Sequence, residues 1–477
     1  MNTFPFWVDG KPVTGTETVE VHSPYDGRVV GRHSVPTAQD VEQAVASAAA
    51  VAGTFAALPA YRRAAALEHV SRRITERADE IAALITAESG KPLIWSQAEV
   101  ARGVSTFRWA AEEARRFTGT MQRLDTDAGG TGRTALVRRV PRGPVLGITP
   151  FNFPLNLVAH KVAPALAVGA PIVLKPAPAT PLTSLLLGEL LAETDLPVGS
   201  WSVLPTSNEV AARLVADPRL PVVSFTGSVP VGWGISDAAP RKHVTLELGG
   251  NAAVVISPDW TDLEFAAKRV ATFSMYQAGQ SCISVQRVFV HRDHYQRFRE
   301  LLLAEVGRLG TGDPALPGTS VGPLINQAAA DRVRGWVAEA VDEGATLLTG
   351  GGGAGTTVEP TVLAEAAETS KVLTEEVFGP VVVVNPVDSV DEAFEAVNSS
   401  RFGLQAGVFT TDLNIAFQAS ATLAVGGVII GDVPSYRADQ MPYGGVKDSG
   451  VGREGPAAAM DDLTEPRVTV LTGLPVV

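Results

Sequence analysis

Apolar positions recur at i, i+3 and i+4 through most of residues 38–120, as in AAALEHVSRRITERADEIAALITAE, and this spacing predicts amphipathic helices. Gly90 and Pro92 end one of them, because glycine accepts the left-handed terminal position and proline cannot continue a helix. A second helical run, SQAEVARGVSTFRWAAEEARRF, follows, and TDAGGTGRTALVRRVPRGPVLGITP then switches to two-residue alternation with turn residues. From about residue 145 short apolar runs alternate with helical ones. VLGITP, APIVLKP, GSWSVLPT, VVSFTGS and HVTLELGG read as strands, and LNLVAHKVAPALAVGA and TSLLLGELLAETDLP as helices. Such alternation implies a parallel, doubly wound sheet. After residue 250 it resumes with NAAVVIS, FAAKRVATFSMYQ, SVQRVFVH and YQRFRELLLAEVGRL, which predicts a second α/β domain. Two isolated β-like pieces, near 135–140 and 467–471, are expected to pair in a protruding flap, with EPRVTVLTG an edge strand. GGGGAG at 350–355 is a flexible loop, too short for a linker, and no internal repeat is visible.

A chain of 477 residues has room for two or three domains, and 45% hydrophobic with 19% charged residues is ordinary for a globular protein. The net charge of −12 argues against nucleic acid as a partner, since phosphate backbones demand a basic surface. It leaves room for an anionic small molecule, which a few buried arginines can hold. No run approaches the ~18 apolar residues of a membrane span. The start, MNTFPFWVDGKPV, lacks a secretory pattern, so no membrane partner and a cytoplasmic location are expected. A single cysteine forbids an internal disulfide and is either a small buried hydrophobe or a nucleophile.

The neighbourhood of that cysteine is QAGQSCISVQRVFVH, where Gly279 and Ser281 would leave a substrate room to reach Cys282. HVTLELGGN puts Glu247 among apolar residues, where a carboxylate is either paired or a general base with a raised pKa. ITPFNFPLN holds Asn152 on a turn, as a turn former or as a donor to an oxyanion. FTGSVPVG sets Gly227, Ser228 and Gly232 where a strand runs into a helix, an arrangement that presents amides to a phosphate. VLKPAP places Lys175 at a strand exit, within reach of ribose hydroxyls or simply at the surface. EEVFGP carries Glu376 and Phe378, and MPYGGVKDSGVGREG is a glycine-rich loop; each could be a plain loop.

Taken together and in this order, ITPFNFP, VLKPAPATP, FTGSVPVG, LELGGN, GQSC, EEVFGP and MPYGGVKDSG resemble the aldehyde dehydrogenase superfamily across essentially the whole chain, with LELGGN followed by GQSC the most specific pair. The resemblance implies a Rossmann-like parallel-sheet cofactor domain (1–125 and 145–249), an α/β catalytic domain (250–445) and a β oligomerisation flap (126–144 and 460–477), assembling as a homodimer or homotetramer. It implies a small aldehyde as substrate, NAD or NADP as cofactor and no metal. It makes Cys282 the nucleophile and Glu247 the base that activates water; Asn152, with the Cys282 amide, forms the oxyanion hole, and Lys161 lies near a proton relay. Cofactor contacts would come from Ile148, Thr149, Pro150, Phe151, Lys175, Pro178, Gly227, Ser228, Gly232, Leu248, Glu376 and Phe378. The implied reaction adds the thiolate to an aldehyde, passes hydride to the nicotinamide and hydrolyses the thioester. Glu247 favours release of a free acid over transfer to coenzyme A. One departure stands out: many NAD-preferring members carry a glutamate where this chain has Pro178, so NADP use is expected to be open to it.

The substrate positions implied by the family are Arg102, Phe153, His160, Ser281, Ile283, Tyr436 and Arg437. Two arginines and a histidine replace the aromatic residues that suit fatty or aromatic aldehydes. An arginine fork suits carboxylate, phosphonate or phosphate, so the expected substrate is a short aldehyde with an anionic tail: a semialdehyde, phosphonoacetaldehyde, phosphorylated glyceraldehyde or lactaldehyde-like compound. The loop GDVPSYRADQMPYGGVKDSG resembles the lactaldehyde and phosphonoacetaldehyde dehydrogenase branch. Against this, Arg102 could face solvent and Arg437 could pair with Asp439 or Asp432, leaving a broad-range aldehyde scavenger. A cofactor-independent thiol esterase is a second alternative, and a binding protein without catalysis a third.

Overall fold

In the computed structural model, which describes residues 3–473, the long helical stretch is four helices: Ala38–Ala56, Ala60–Glu76, Ala78–Ser89 and Leu93–Arg116. Thr37 and Asp40 form a reciprocal capping box at the start of the first. Gly90 ends the third with φ of 73°, in the left-handed region. The fourth stops at Arg116 rather than at 120, and Thr120–Arg123 is a strand. The cause lies at Gly119, where a Cβ would stand 2.1 Å from the Val137 carbonyl; the chain must already be extended there to approach its neighbour.

Five parallel strands make the middle of an eight-stranded sheet, in the order His243–Glu247, Val222–Thr226, Val145–Ile148, Ile172–Lys175 and Trp201–Val203. Gly450–Val451 adds antiparallel at one edge, Phe6–Val8 and Lys11–Val13 at the other. From Val145–Ile148 the chain first builds outward to one side and then returns to build on the other. The order therefore reverses between Val145–Ile148 and Val222–Thr226. A crevice forms beyond the carboxyl ends of strands at such a switch point. The helix Asn156–Val168, which starts below it, is apolar nearly all round and buried along its whole length.

A second sheet of seven strands runs in the order Thr346–Thr349, Thr361–Ala364, Val381–Val387, Arg287–His291, Ala253–Ile256, Gln405–Phe409 and Gly427–Ile430. All are parallel except the first. Separate apolar clusters fill its two faces. A third sheet pairs Thr464–Thr472 with Arg133–Pro141 over nine residues and adds Thr120–Arg123. The two β-like pieces of the sequence thus meet, with a third strand beside them. Of the expected segments, residues 1–2 and 474–477 lie outside the described residues. Among the described residues no single helix is long and apolar enough to cross a membrane.

Candidate active site

Cys282 sits where two cavities meet. The larger, of about 760 Å³, occupies the switch-point crevice and continues to Cys282. The smaller, of about 270 Å³, opens on the other side of the sulfur.

The turn before the cysteine is left-handed at three successive residues, Gln277, Ala278 and Gly279, with φ of 46°, 56° and 68°. Non-glycine residues adopt this region at a cost of about 1–2 kcal/mol each, so other contacts must hold it. Gln277 supplies them: its Nε2 donates to the Asn152 carbonyl at 3.0 Å and to the Gln280 carbonyl at 2.8 Å. Gly279 does not widen the approach to the sulfur, as the sequence reading expected. A Cβ there would lie 2.0 Å from the Gly379 carbonyl, so the residue lets two backbones meet. Ser281 accepts from the Tyr276 hydroxyl at 2.5 Å.

Asn152 precedes the buried helix, whose first amides, Leu155 and Asn156, both donate to Glu99 Oε1. One side-chain N–H of Asn152 donates to the Gln280 carbonyl at 2.9 Å, which leaves the second N–H for another acceptor. The loops bearing Asn152 and Cys282 are thus tied to each other in both directions.

Glu247 ends a strand of the first sheet and is buried with neither carboxylate oxygen hydrogen-bonded. Burial, then the charge of Glu454, pushes its carboxyl well above the ordinary range; Arg437 and Lys161 pull the other way. Burial likewise pushes the Cys282 thiol up to about 12, opposed by its hydrogen bond with Tyr443. Lys161 lies behind Glu247, with Nζ 3.0 Å from Ser224 Oγ and 3.4 Å from Glu454 Oε1. Burial alone would raise the Glu454 carboxyl, but Lys161 and Arg437 outweigh it and hold it low.

Ile148, Thr149, Pro150, Phe151, Asn152, Lys175, Pro178, Gly227, Ser228, Glu247, Leu248, Glu376 and Phe378 all line the larger cavity. Gly232 does not; its Cα packs on Leu248, where a Cβ would lie 2.3 Å from Cδ2. Gly227 gives similar clearance over the Phe225 ring, and Ser228 begins the helix Val229–Ala238. Lys175 Nζ is 3.2 Å from Asn208 Oδ1, and burial lowers its pKa. Glu376 accepts from the Gly250 amide at 3.1 Å, and burial raises it to about 7. Phe151 and Phe378 meet edge to face with centroids 5.9 Å apart. This donor set suits a dinucleotide: amides at a helix start for a pyrophosphate, Lys175 and Glu376 for hydroxyls, and apolar walls for the rings. Among the described residues lining the cavity the carboxylates are Glu247 and Glu376, and Lys175 meets the Asn208 amide rather than a carboxylate.

Arg102, Phe153, Ser281, Ile283, Tyr436 and Arg437 line the smaller cavity. His160 does not. It lies one turn further along the buried helix, behind Asn156 and Leu157, with Nε2 3.6 Å from Asp439 Oδ1. Burial, then the charge of Arg437, lowers its pKa to about 4, so it is neutral. Arg102 is partly exposed, with 28% of its side chain accessible, and still lines the cavity, its Nε donating to Asp439 at 3.0 Å. Arg437 pairs with neither Asp439 nor Asp432 but with Glu454 at 3.0 Å, because Asp432 is held by both arms of Arg269. Arg269 lines the cavity as well, a third arginine that no motif marked. The sequence reading also missed Tyr443 and Glu454, although both lie in the glycine-rich segment MPYGGVKDSGVGREG. Spacing alone could not tell which of its residues turn inward.

A sequence model of the Aldehyde dehydrogenase family matches residues 7–469. The chain is 41% identical to the 3-sulfolactaldehyde dehydrogenase of Priestia megaterium, covering 98% of each protein. It is 33% identical to a lactaldehyde dehydrogenase of Methanococcus maripaludis, covering 98% of this chain and 99% of that protein. Among solved structures, aldehyde dehydrogenase 21 of Physcomitrella patens in complex with the reaction product succinate is 43% identical, with a TM-score of 0.98 and coverage of 100% and 99%. The NADP-dependent glyceraldehyde-3-phosphate dehydrogenase of Bacillus halodurans complexed with NADP is 32% identical, with a TM-score of 0.95 and coverage of 99% and 100%.

Proposed function

Because the chain belongs to the aldehyde dehydrogenase family and is an NAD(P)-dependent oxidoreductase, we propose that it oxidises a short aldehyde with a negatively charged tail, through a thioester on Cys282. The observation that carries the tail is the state of the arginines around the smaller cavity. Arg102, Arg269 and Arg437 are each oriented by a carboxylate, yet Arg102 Nη2 and Arg437 Nε are buried donors with no partner. A buried unpaired donor costs about 1–3 kcal/mol, a cost that an anionic tail would remove. The named relatives support this reading, since sulfolactaldehyde and succinate both carry a charged end. A carboxylate or sulfonate is favoured over a doubly charged phosphate, because each arginine already has a counter-charge.

In this reading the aldehyde carbon rests beside Cys282 Sγ with its tail in the smaller cavity. The thiolate adds to the carbonyl, and the free N–H of Asn152 with the Cys282 amide receives the oxyanion. The bound dinucleotide supplies a hydride acceptor. Glu247 takes a proton from the water that hydrolyses the thioester, and the neighbouring cations Lys161 and Arg437 ease its ionisation. The wall around Lys175 and Pro178 is open to a 2′-phosphate, so NADP serves as well as NAD. Residues 1–125 with 145–249 carry the dinucleotide, 250–445 the catalytic cysteine, and 126–144 with 460–477 the contact between copies in a homodimer or homotetramer.

The test is initial-rate reduction of NAD and of NADP with succinate semialdehyde, sulfoacetaldehyde, phosphonoacetaldehyde and hexanal. We expect kcat/KM for the first two to exceed that for hexanal by about 100-fold, or roughly 2.7 kcal/mol. Equal or faster turnover of hexanal sinks the charged-tail reading and leaves a broad-range aldehyde scavenger.

A further inference from the structure

The hydroxyl of Tyr443 lies 2.9 Å from Cys282 Sγ, and Tyr443 is 4% exposed. Its position is determined on three sides. The backbone pairs with Glu454 in both directions, Tyr443 N to the Glu454 carbonyl and Glu454 N to the Tyr443 carbonyl. The ring lies against Ile283 and Leu404 in a small buried cluster that includes Cys282. The Arg437 guanidinium sits 3.8 Å from the ring centroid, and Arg437 is in turn held by Glu454. The next residue, Gly444, brings its backbone against the base: a Cβ there would stand 2.8 Å from Glu247 Oε1. One turn thus touches both the cysteine and the glutamate.

Either atom of a thiol–phenol pair can donate, and the surroundings decide which does. Glu247 and Glu376 disfavour negative charge on the sulfur, Arg437 favours it, and Tyr276 is a second buried phenol nearby. A cation over the ring face makes the phenol O–H a better donor. Burial, then the charge on Cys282, keeps the Tyr443 phenol protonated far above neutral pH.

Resting on the reading of Cys282 as the nucleophile, we propose that Tyr443 is a further catalytic residue, whose O–H donates a hydrogen bond to Cys282 Sγ and holds the anionic sulfur. It acts twice. Before attack it favours the thiolate, which is the nucleophilic form. In hydrolysis, water adds to the thioester carbon and its proton passes to Glu247; the C–S bond then breaks and its electron pair stays on Sγ, where the same O–H receives it. Tyr443 gives up no proton in either step.

The test is the rate of iodoacetamide alkylation from pH 6 to 10 in the cofactor-free full-length enzyme and in Tyr443→Phe, with intact mass confirming one adduct that is absent in Cys282→Ala. Losing the donor should raise the thiol pKa by about one unit, as expected for a hydrogen bond to a charged group; because that pKa lies above the titrated range, the change is read as a uniformly slower rising limb across pH 6–10. At pH 7.5 alkylation should slow by only about 3-fold, because the more basic thiolate is also more nucleophilic. Loss of packing alone would expose the sulfur and speed alkylation, and an unchanged melting temperature excludes misfolding. If Tyr443→Phe misfolds, the same titration in Tyr443→Trp, whose N–H can replace the donor, reads the profile instead, and a wild-type profile there supports the proposal. Equal or faster alkylation of folded Tyr443→Phe overturns it. If single alkylation at Cys282 leaves the aldehyde dehydrogenase activity intact, the nucleophile reading fails instead.

Discussion

Glu247 has no hydrogen-bond partner in a protein where buried carboxylates elsewhere are well served: Glu88 accepts from Leu182, Thr183 and the Thr183 hydroxyl, and Glu99 from Leu155, Asn156 and Lys91. An unserved carboxylate is destabilising when ionised, and that suits it to take a proton. The sign of its pH dependence follows. As the proposed base, Glu247 would work only when deprotonated, and its pKa in the folded protein is raised, so the thioester-hydrolysis rate should climb as pH rises through that value. Lys161 pulls that pKa down; Lys161→Met should therefore shift the rising limb of kcat to higher pH, by about one unit, with KM little changed. A limb that stays in place would show that Lys161 is only structural. Glu247→Gln should still release a first equivalent of reduced cofactor in a burst while steady turnover falls by about 10²–10⁴-fold; loss of the burst would give Glu247 a role before the thioester.

At the scale of elements, the site is assembled by loops leaning on rigid ends. The left-handed turn Gln277–Gly279 aims the cysteine, the start of the buried helix aims Asn152, and the Gln277 side chain joins the two. Gly279 is the position where this device tolerates least change, since φ is 68° and the Gly379 carbonyl fills the space of a side chain. Gly279→Ala should lower stability by roughly 3 kcal/mol and reduce kcat more than it raises KM, because Cys282, the proposed nucleophile, would move relative to the Asn152 amide. Differential scanning calorimetry with steady-state kinetics checks both; normal kcat in a destabilised protein would separate the turn from the chemistry.

Across the whole molecule, edge strands of two sheets carry exposed apolar side chains. In the three-stranded flap Thr464–Thr472 is an edge strand, with Val468 57% and Val470 49% exposed; Met121 and Leu136 are exposed on neighbouring strands. Gly427–Ile430, with Ile430 43% exposed, forms one edge of the seven-stranded sheet. Open apolar edges are ordinarily covered. On the proposed assembly through the flap, Val468→Glu combined with Val470→Glu should leave the flap folded and reduce the mass seen by light scattering to that of one chain. An unchanged oligomer would place the contact elsewhere.

Much of this was legible before any coordinates. The alternation of apolar runs with helical ones determined two parallel α/β sheets, because hydrophobic period and crossover geometry are local consequences of sequence. Ordered short motifs marked Cys282, Glu247 and Asn152, and the β-like pieces at 135–140 and 467–471 were recognisable despite the more than 300 residues between them. Tertiary structure decided the rest. That His160 turns behind the smaller cavity was not legible, because a helix buried all round gives no pattern by which to tell its faces apart. Arg437 chose Glu454 over two nearer acids in sequence, since Arg102 and Arg269 had taken those. The cysteine's neighbour Tyr443 comes from 161 residues further along the chain. Ion pairs and hydrogen bonds of that range depend on how whole sheets pack, and no local period records it.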